Sequence, residues 1–244
     1  MTMPGDDGVE DYLRGLTDRQ RRRAFDFLRR EMPIHPLERE WGTSAEDILG
    51  AISRSGDLTQ RGIRGILAEA TFESTVIPIL QRNGWTSVHI VGDQAFDFQL
   101  KNHEASVRIQ VKLQRKESGE PKSYPLRGRR SLIDPPATLY AVEVQKTRSG
   151  KRDGKNTRPY RFGEFDILAV NMHPSTGDWG SFLFTPGRWL LPRSAESELI
   201  EIFQPVPAHP SVCAPGSAPD RFWTADVIEA VEWLQSGRVR RLYS

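Results

Sequence analysis

Cysteine is almost absent from this 244-residue chain: Cys213 stands alone. That excludes an internal disulfide framework and any cysteine-based zinc cluster. No stretch approaches the ~20 consecutive apolar residues of a membrane span. Residues 1–12 (MTMPGDDGVEDY) lack a basic-then-apolar leader, so a soluble, cytoplasmic protein is expected. The five histidines (His35, His89, His103, His173, His209) are scattered, with no pair at metal-ligand spacing. The glycine-rich stretches lack the spacing of a phosphate-cradling loop or a serine nucleophile elbow. Hydrophobic residues make up 37% and charged ones 27%, which is polar for a globular chain but above the disordered regime. A chain of this length can bury a core without staples, as one large domain or a core with small appendages.

Charge is where the sequence departs from the ordinary. Residues 108–161 hold fifteen lysines and arginines against five acids, a net +10, which leaves −8 for the rest of the +2 chain. Concentrated positive charge suits a polyphosphate partner, because each neutralised phosphate releases condensed counterions. The basic residues expected to meet nucleic acid are Arg127, Arg129, Arg130, Lys146, Arg148, Arg158 and Arg161. Tyr160, among them, either stacks on bases or simply packs.

Local patterns give the organisation. Thr17 and Gln20 form a capping box opening a helix that Pro33 and Pro36 end, and Ser44 caps a second helix. A third helix runs from about 60 to 83, kinked or shortened by Pro78. Period-two alternation then predicts strands at 86–91, 95–100, 107–115, 138–147, 161–172 and 181–185. Residues 116–136 read as a loop, 196–203 as a helix, 205–219 as a proline-rich connector, and Thr224 as the cap of a last helix. These elements imply a mixed α/β (α+β) fold with a central mixed sheet flanked by helices. The expected division is an N-terminal helical extension (1–58), a core (59–193) and a C-terminal helical extension (194–244).

One hairpin gathers chemistry. If Leu100 pairs with Val107, then Phe98 meets Ile109 on the apolar face, and Asp97 falls opposite Gln110 on the polar face with Lys112 one step along. A one-residue slip would scramble both faces. The third helix carries Glu69 and Glu73 four residues apart, on a stripe shared with Ile66, Val76 and Leu80. Like charges at that spacing call for a nearby cation or for arginine partners.

Asp97 followed by Gln110-Val111-Lys112 resembles the catalytic hairpin of the PD-(D/E)XK nuclease superfamily, which includes many type II restriction endonucleases. Here Gln stands at the position of the triplet's acid, and Phe96 replaces the usual proline. The resemblance spans roughly 62–172 and implies a restriction-endonuclease-like core that hydrolyses phosphodiesters with Mg²⁺. It implies Asp97, Gln110, Lys112 and Glu69 as catalytic residues. Asp97, Gln110, the Val111 carbonyl and Glu69 would hold the ion, with Glu73 as a secondary candidate. Lys112 would orient water and stabilise the phosphorane. It further implies sequence-specific cutting of double-stranded DNA by a homodimer, 5′-phosphate products, and a separate cognate DNA methyltransferase. A rival placement uses Asp134, Glu143 and Gln145, although Pro135 and Pro136 fit a paired central strand poorly. Glu143 lies on a strand that is apolar on both faces, so its carboxylate needs a partner: a metal, Lys146, Arg148 or Arg161.

Overall fold

A computed structural model of the protein describes residues 6–32, 35–125, 138–146, 151–152, 155–156, 158–213 and 221–242. Arg127, Arg129, Arg130, Asp134 and Arg148 lie outside the described residues. The chain divides into two compact units, Met1–Arg61 and Gly62–Ser244.

The first unit is helical: α1 (Asp6–Gly15), α2 (Asp18–Glu31), α3 (Pro36–Trp41), α4 (Ala45–Arg54) and the opening of α5 (Asp57–Thr75). Thr17 caps α2 through the expected box with Gln20, and the Ser44 hydroxyl accepts from Asp47 N at 3.1 Å to start α4. α2 stops at Glu31, and Pro36 opens α3, where its missing N–H costs nothing. Glu38 is buried and accepts from Arg29, from Ala45 N (2.7 Å) and from His35 N (3.1 Å), tying α2, α3 and α4 together.

In the second unit α5 ends at Thr75, and α6 (Ile77–Arg82) restarts with Pro78 in its first turn, which is the interruption proline imposes. Then come β1 (Thr86–Ser87), β2 (Phe98–Lys101), β3 (Ser106–Leu113), β4 (Lys116–Glu117), β5 (Glu120–Pro121) and β6 (Leu139–Glu143). They are followed by β7 (Lys151–Arg152), β8 (Lys155–Asn156), β9 (Ile167–Asn171), α7 (His173–Thr176), β10 (Phe182–Pro186), β11 (Phe203–Pro207) and α8 (Val227–Gln235). The central sheet has five strands in the order β1-β2-β3-β9-β10, antiparallel except for the parallel β3–β9 pair. This is the mixed sheet flanked by helices that the sequence implies.

Alternation sorts the two faces. Val107, Ile109, Val111, Ile167 and Ala169 join Ala68 and Phe72 of α5, Leu80 of α6 and Val231 of α8 in one apolar cluster. Leu168, Val170 and Leu183 join Val142, Tyr160, Phe165, Leu190 and Trp223 in the other. Every residue of β9 is buried, as a strand covered on both faces requires.

The structure corrects several expectations. Residues 196–203 form no helix; Leu199 and Ile200 make isolated bridges to Arg161 and Pro192. The first residues of the supposed connector are β11, which pairs with β6 outside the central sheet. Pro205 and Pro207 are tolerated there because the ladder bonds fall on the alternate residues, with Val144 N donating to Ile202 O (2.7 Å) and Ala208 N to Thr138 O (3.1 Å). Finally, α8 is capped by Asp226, whose Oδ1 accepts from Ile228 N at 2.8 Å, while Thr224 exchanges backbone bonds with Phe184. The strand expected over 86–91 is only β1, and the loop expected from 116 contains the small β4–β5 hairpin.

Candidate active site

The β2–β3 hairpin adopts the register that both faces demand: Leu100 lies opposite Val107 and Phe98 opposite Ile109. Asp97 extends it by one residue, its N–H donating to Ile109 O at 3.0 Å. The Asp97 carboxylate oxygen Oδ2 accepts from Val111 N (2.8 Å) and from Gln110 Nε2. The same Nε2 donates to Val111 O at 3.1 Å, so a single amide nitrogen lies between a carboxylate oxygen and a main-chain carbonyl. Gln110 is only 1% exposed, and its Oε1 accepts from the Tyr160 hydroxyl at 3.0 Å.

Lys112 follows on the same face of β3. Its ammonium lies 5.6 Å from the centroid of the Tyr160 ring, and that of Lys146 lies 5.3 Å from it. Burial pushes the Lys112 amine below the ordinary lysine range, against the opposing pull of Asp97, Glu69 and Glu143. Glu69 enters from α5, where Ala68 and Phe72 turn the helix onto the sheet. Burial and then the Asp97 charge raise its carboxyl to about 7, with Lys112 opposing. Burial likewise raises Asp97, opposed by Lys112 and by the hydrogen bonds from Val111 and Gln110. Burial, then Asp97 and Glu164, holds the Tyr160 phenol well above its ordinary value. Asp97, Gln110, Lys112 and Glu69 therefore form one electrostatic cluster at the sheet.

The other sequence candidates lie differently. Glu73 is exposed, on a cleft lined by Ile77, His89, Phe98 and Gln99, and Ile66 of the expected stripe is 63% exposed. Val76 and Leu80 of that stripe do reach the core, but the face that α5 turns to it carries Ala68 and Phe72. The half-buried Glu143 finds its partners in Gln145, whose Nε2 donates to it, and in Arg115, whose Nε is 3.6 Å away. Lys146 pairs with Glu164 at 2.7 Å, and Arg158 Nε donates to the Lys146 carbonyl at 3.3 Å. Arg161 is exposed, and its N–H donates to Glu164 Oε2 at 2.8 Å.

Two partners escaped the sequence reading. Tyr160 reaches Gln110 from fifty residues away, and no local pattern marks it for that contact. Asp166 takes a two-pronged bond from Arg108 (Nε 2.9 Å, terminal nitrogen 2.8 Å) and another from Arg108 N (2.8 Å), which clamps β3 to the entry of β9. Arg108 belongs to the basic segment, yet its charge is used inside the fold.

Among the described residues, no three His, Cys, Asp or Glu side chains gather where one ion could touch them all. The donors that fit a hard cation are oxygens of mixed type. Asp97 Oδ2 and Val111 O already converge on one nitrogen, and the Glu69 carboxyl is electrostatically coupled to Asp97. So carboxylate-poor a set suits an ion that retains several waters.

Comparison with known proteins is sparse. No protein-family profile and no curated protein matches the chain. Among solved structures it is similar to the bacterial homing endonuclease I-Ssp6803I, at 16% identity and a TM-score of 0.35, over 75% of this chain and 96% of that one. Among the described residues, no helix is long and apolar enough to cross a membrane.

Proposed function

We infer that the protein is a Mg²⁺-dependent DNA endonuclease of the PD-(D/E)XK type, acting as a type II restriction enzyme at a specific duplex sequence. The observation that carries this reading is the convergence of Asp97 Oδ2 and Val111 O on one point, with Lys112 in the same electrostatic cluster. The net +10 of residues 108–161 supplies attraction for a phosphate backbone.

Asp97, the Val111 carbonyl and the Gln110 side-chain oxygen would hold the ion, with Glu69 binding directly or through water. A bound Mg²⁺ polarises the scissile phosphate and lowers the pKa of a coordinated water. Lys112, kept close by Tyr160 and the surrounding carboxylates, would hydrogen-bond the attacking water and the phosphate oxygens on which negative charge builds. Lys112 is half-buried, so solvent screens that interaction less than it would at the surface. The products carry 5′-phosphates. A homodimer would place two such sites on a palindrome, and a separate methyltransferase would protect the host sequence.

Plasmid DNA incubated with the protein and Mg²⁺ tests the reading. Discrete fragments that disappear with EDTA, and with Asp97→Ala or Lys112→Ala, are expected, while salt-sensitive DNA binding persists in both variants. Smears would mean a general nuclease of the same fold, acting in repair or on modified DNA. A second reading has its own observation: Gln110 Nε2 already fills the point between Asp97 and Val111 O, as in a DNA-binding module with no catalytic ion. A retained gel shift without cleavage at any divalent concentration would establish that reading instead.

A further inference from the structure

The Gln110 amide uses both of its ends. Its nitrogen donates to Asp97 Oδ2 and to Val111 O (3.1 Å), and its oxygen accepts from the Tyr160 hydroxyl (3.0 Å). A cation cannot share a point with two N–H donors, so the divalent-ion reading above, on which this inference rests, requires that nitrogen to leave. We propose that Gln110 is a two-position amide governed by Tyr160. Without a cation its nitrogen bridges Asp97 Oδ2 and Val111 O; with one, the amide turns half a revolution, so that Oε1 faces those oxygens and Nε2 faces the tyrosine.

Side-chain amide oxygen and nitrogen are nearly equal in size, so the turn changes the chemistry presented without changing the packing around a side chain that is 1% exposed. A phenolic hydroxyl can donate to Oε1 or accept from Nε2, so Tyr160 satisfies the far end of the amide in both positions. It does not satisfy them equally. The phenol is a good donor, whereas its oxygen lone pair is partly delocalised into the ring and accepts weakly. Tyr160 therefore favours the nitrogen-inward position and holds cation affinity down. It is a positioning residue, and it acts only through Gln110.

The sign of its effect is the test. Calorimetric titration of Mg²⁺ into the full chain, stripped of metal and without DNA, is compared across variants. Tyr160→Phe is expected to bind Mg²⁺ about two- to tenfold more tightly than the wild type, the span of one net hydrogen bond. In a Gln110→Glu background, where either end presents an oxygen, Tyr160→Phe should leave the affinity unchanged or weaken it. A tyrosine that merely packs would weaken binding or leave it unchanged in both backgrounds, and that result overturns the switch. If the wild type binds Mg²⁺ and Asp97→Ala abolishes binding while Tyr160→Phe fails to tighten it, the switch falls and the endonuclease reading stands. If the wild type shows no saturable binding, both fall. Should Tyr160→Phe not fold, the wild type decides. The Gln110 side-chain ¹H–¹⁵N pair, assigned by its loss in Gln110→Glu, must shift on saturation with Mg²⁺. A shift no larger than that of the buried Gln204 pair, which bonds Leu191 O and Glu201 O, overturns the proposal.

Discussion

At the residue scale, the half-buried carboxyls of Glu69 and Asp97 bear on how the protein responds to pH. Glu69 holds its proton up to about 7, mainly through burial, against an ordinary value of 4.5. Between those pH values the folded chain keeps a proton that the unfolded chain releases, so Glu69 subtracts stability as the pH rises through that window. Asp97, also raised, acts in the same direction. The metal-free Glu69→Gln variant should match the wild type near pH 4.5 and become progressively more stable than it toward pH 7, read from urea midpoints. An advantage that does not grow across the window would show that Glu69 ionises freely. Strand alternation alone puts Asp97 beside Gln110, whereas Glu69 is singled out from Glu73 only by the resemblance, since the periodic stripe that joined both acids to Ile66 leaves Glu73 and Ile66 exposed. Tyr160 was not legible: a hydrogen bond to a side chain fifty residues away leaves no mark on period two or period 3.6.

At the scale of elements, the hairpin was the most readable part of the chain. Two faces of opposite character had to agree, and only one register of β2 on β3 satisfies both. What lay beside β3 was not readable, because a parallel partner is fixed by the crossover and not by local alternation. The structure pairs β3 with β9, in register from Ile109 opposite Ile167 to Leu113 opposite Asn171. Arg108 and Asp166 secure the start of that pairing with three hydrogen bonds onto one carboxylate, and both side chains are mostly withdrawn from solvent (33% and 22% exposed). Asp166→Ala leaves the guanidinium and a backbone N–H without their acceptor. It should cost about 2–4 kcal/mol of unfolding free energy, as expected for breaking a partly buried, bidentate charged pair. Because the clamp also sets where Gln110 and Lys112 lie along β9, the variant should lose Mg²⁺ affinity as well. Denaturant unfolding that places Asp166→Ala within 0.5 kcal/mol of the wild type, the usual range for an inconsequential surface change, would reduce the clamp to an exposed pair. The prolines of β11 misled for a related reason. Proline content reads as connector, yet a strand with one partner accepts proline at every non-bonded position.

At the scale of the whole molecule, the lone thiol reports on integrity. Cys213 is 3% exposed and belongs to the apolar cluster with Tyr160, Leu168, Val170 and Trp223, on the sheet face that carries Gln110 and Lys112. Burial pushes the thiol up to about 12, with the Arg221 charge only partly offsetting it. Thiolate is the reactive form, so at neutral pH the folded protein presents almost none of it, and what exists is shielded by packing. Disulfide-exchange reagents should therefore leave Cys213 unmodified in buffer and label one equivalent rapidly in denaturant. Between those limits, labelling should follow opening of this cluster, and its rate at fixed reagent should fall when Mg²⁺ is present, because an ion that binds only the folded site shifts the opening equilibrium by mass action. Asp97→Ala, which lacks the site's carboxylate, should show the same basal labelling behaviour without the Mg²⁺ protection. Prompt stoichiometric labelling of the native protein would mean that the cluster is open in solution. Equal protection of wild type and Asp97→Ala would place the ion somewhere other than beside Gln110, and would detach the candidate site from the chemistry assigned to it.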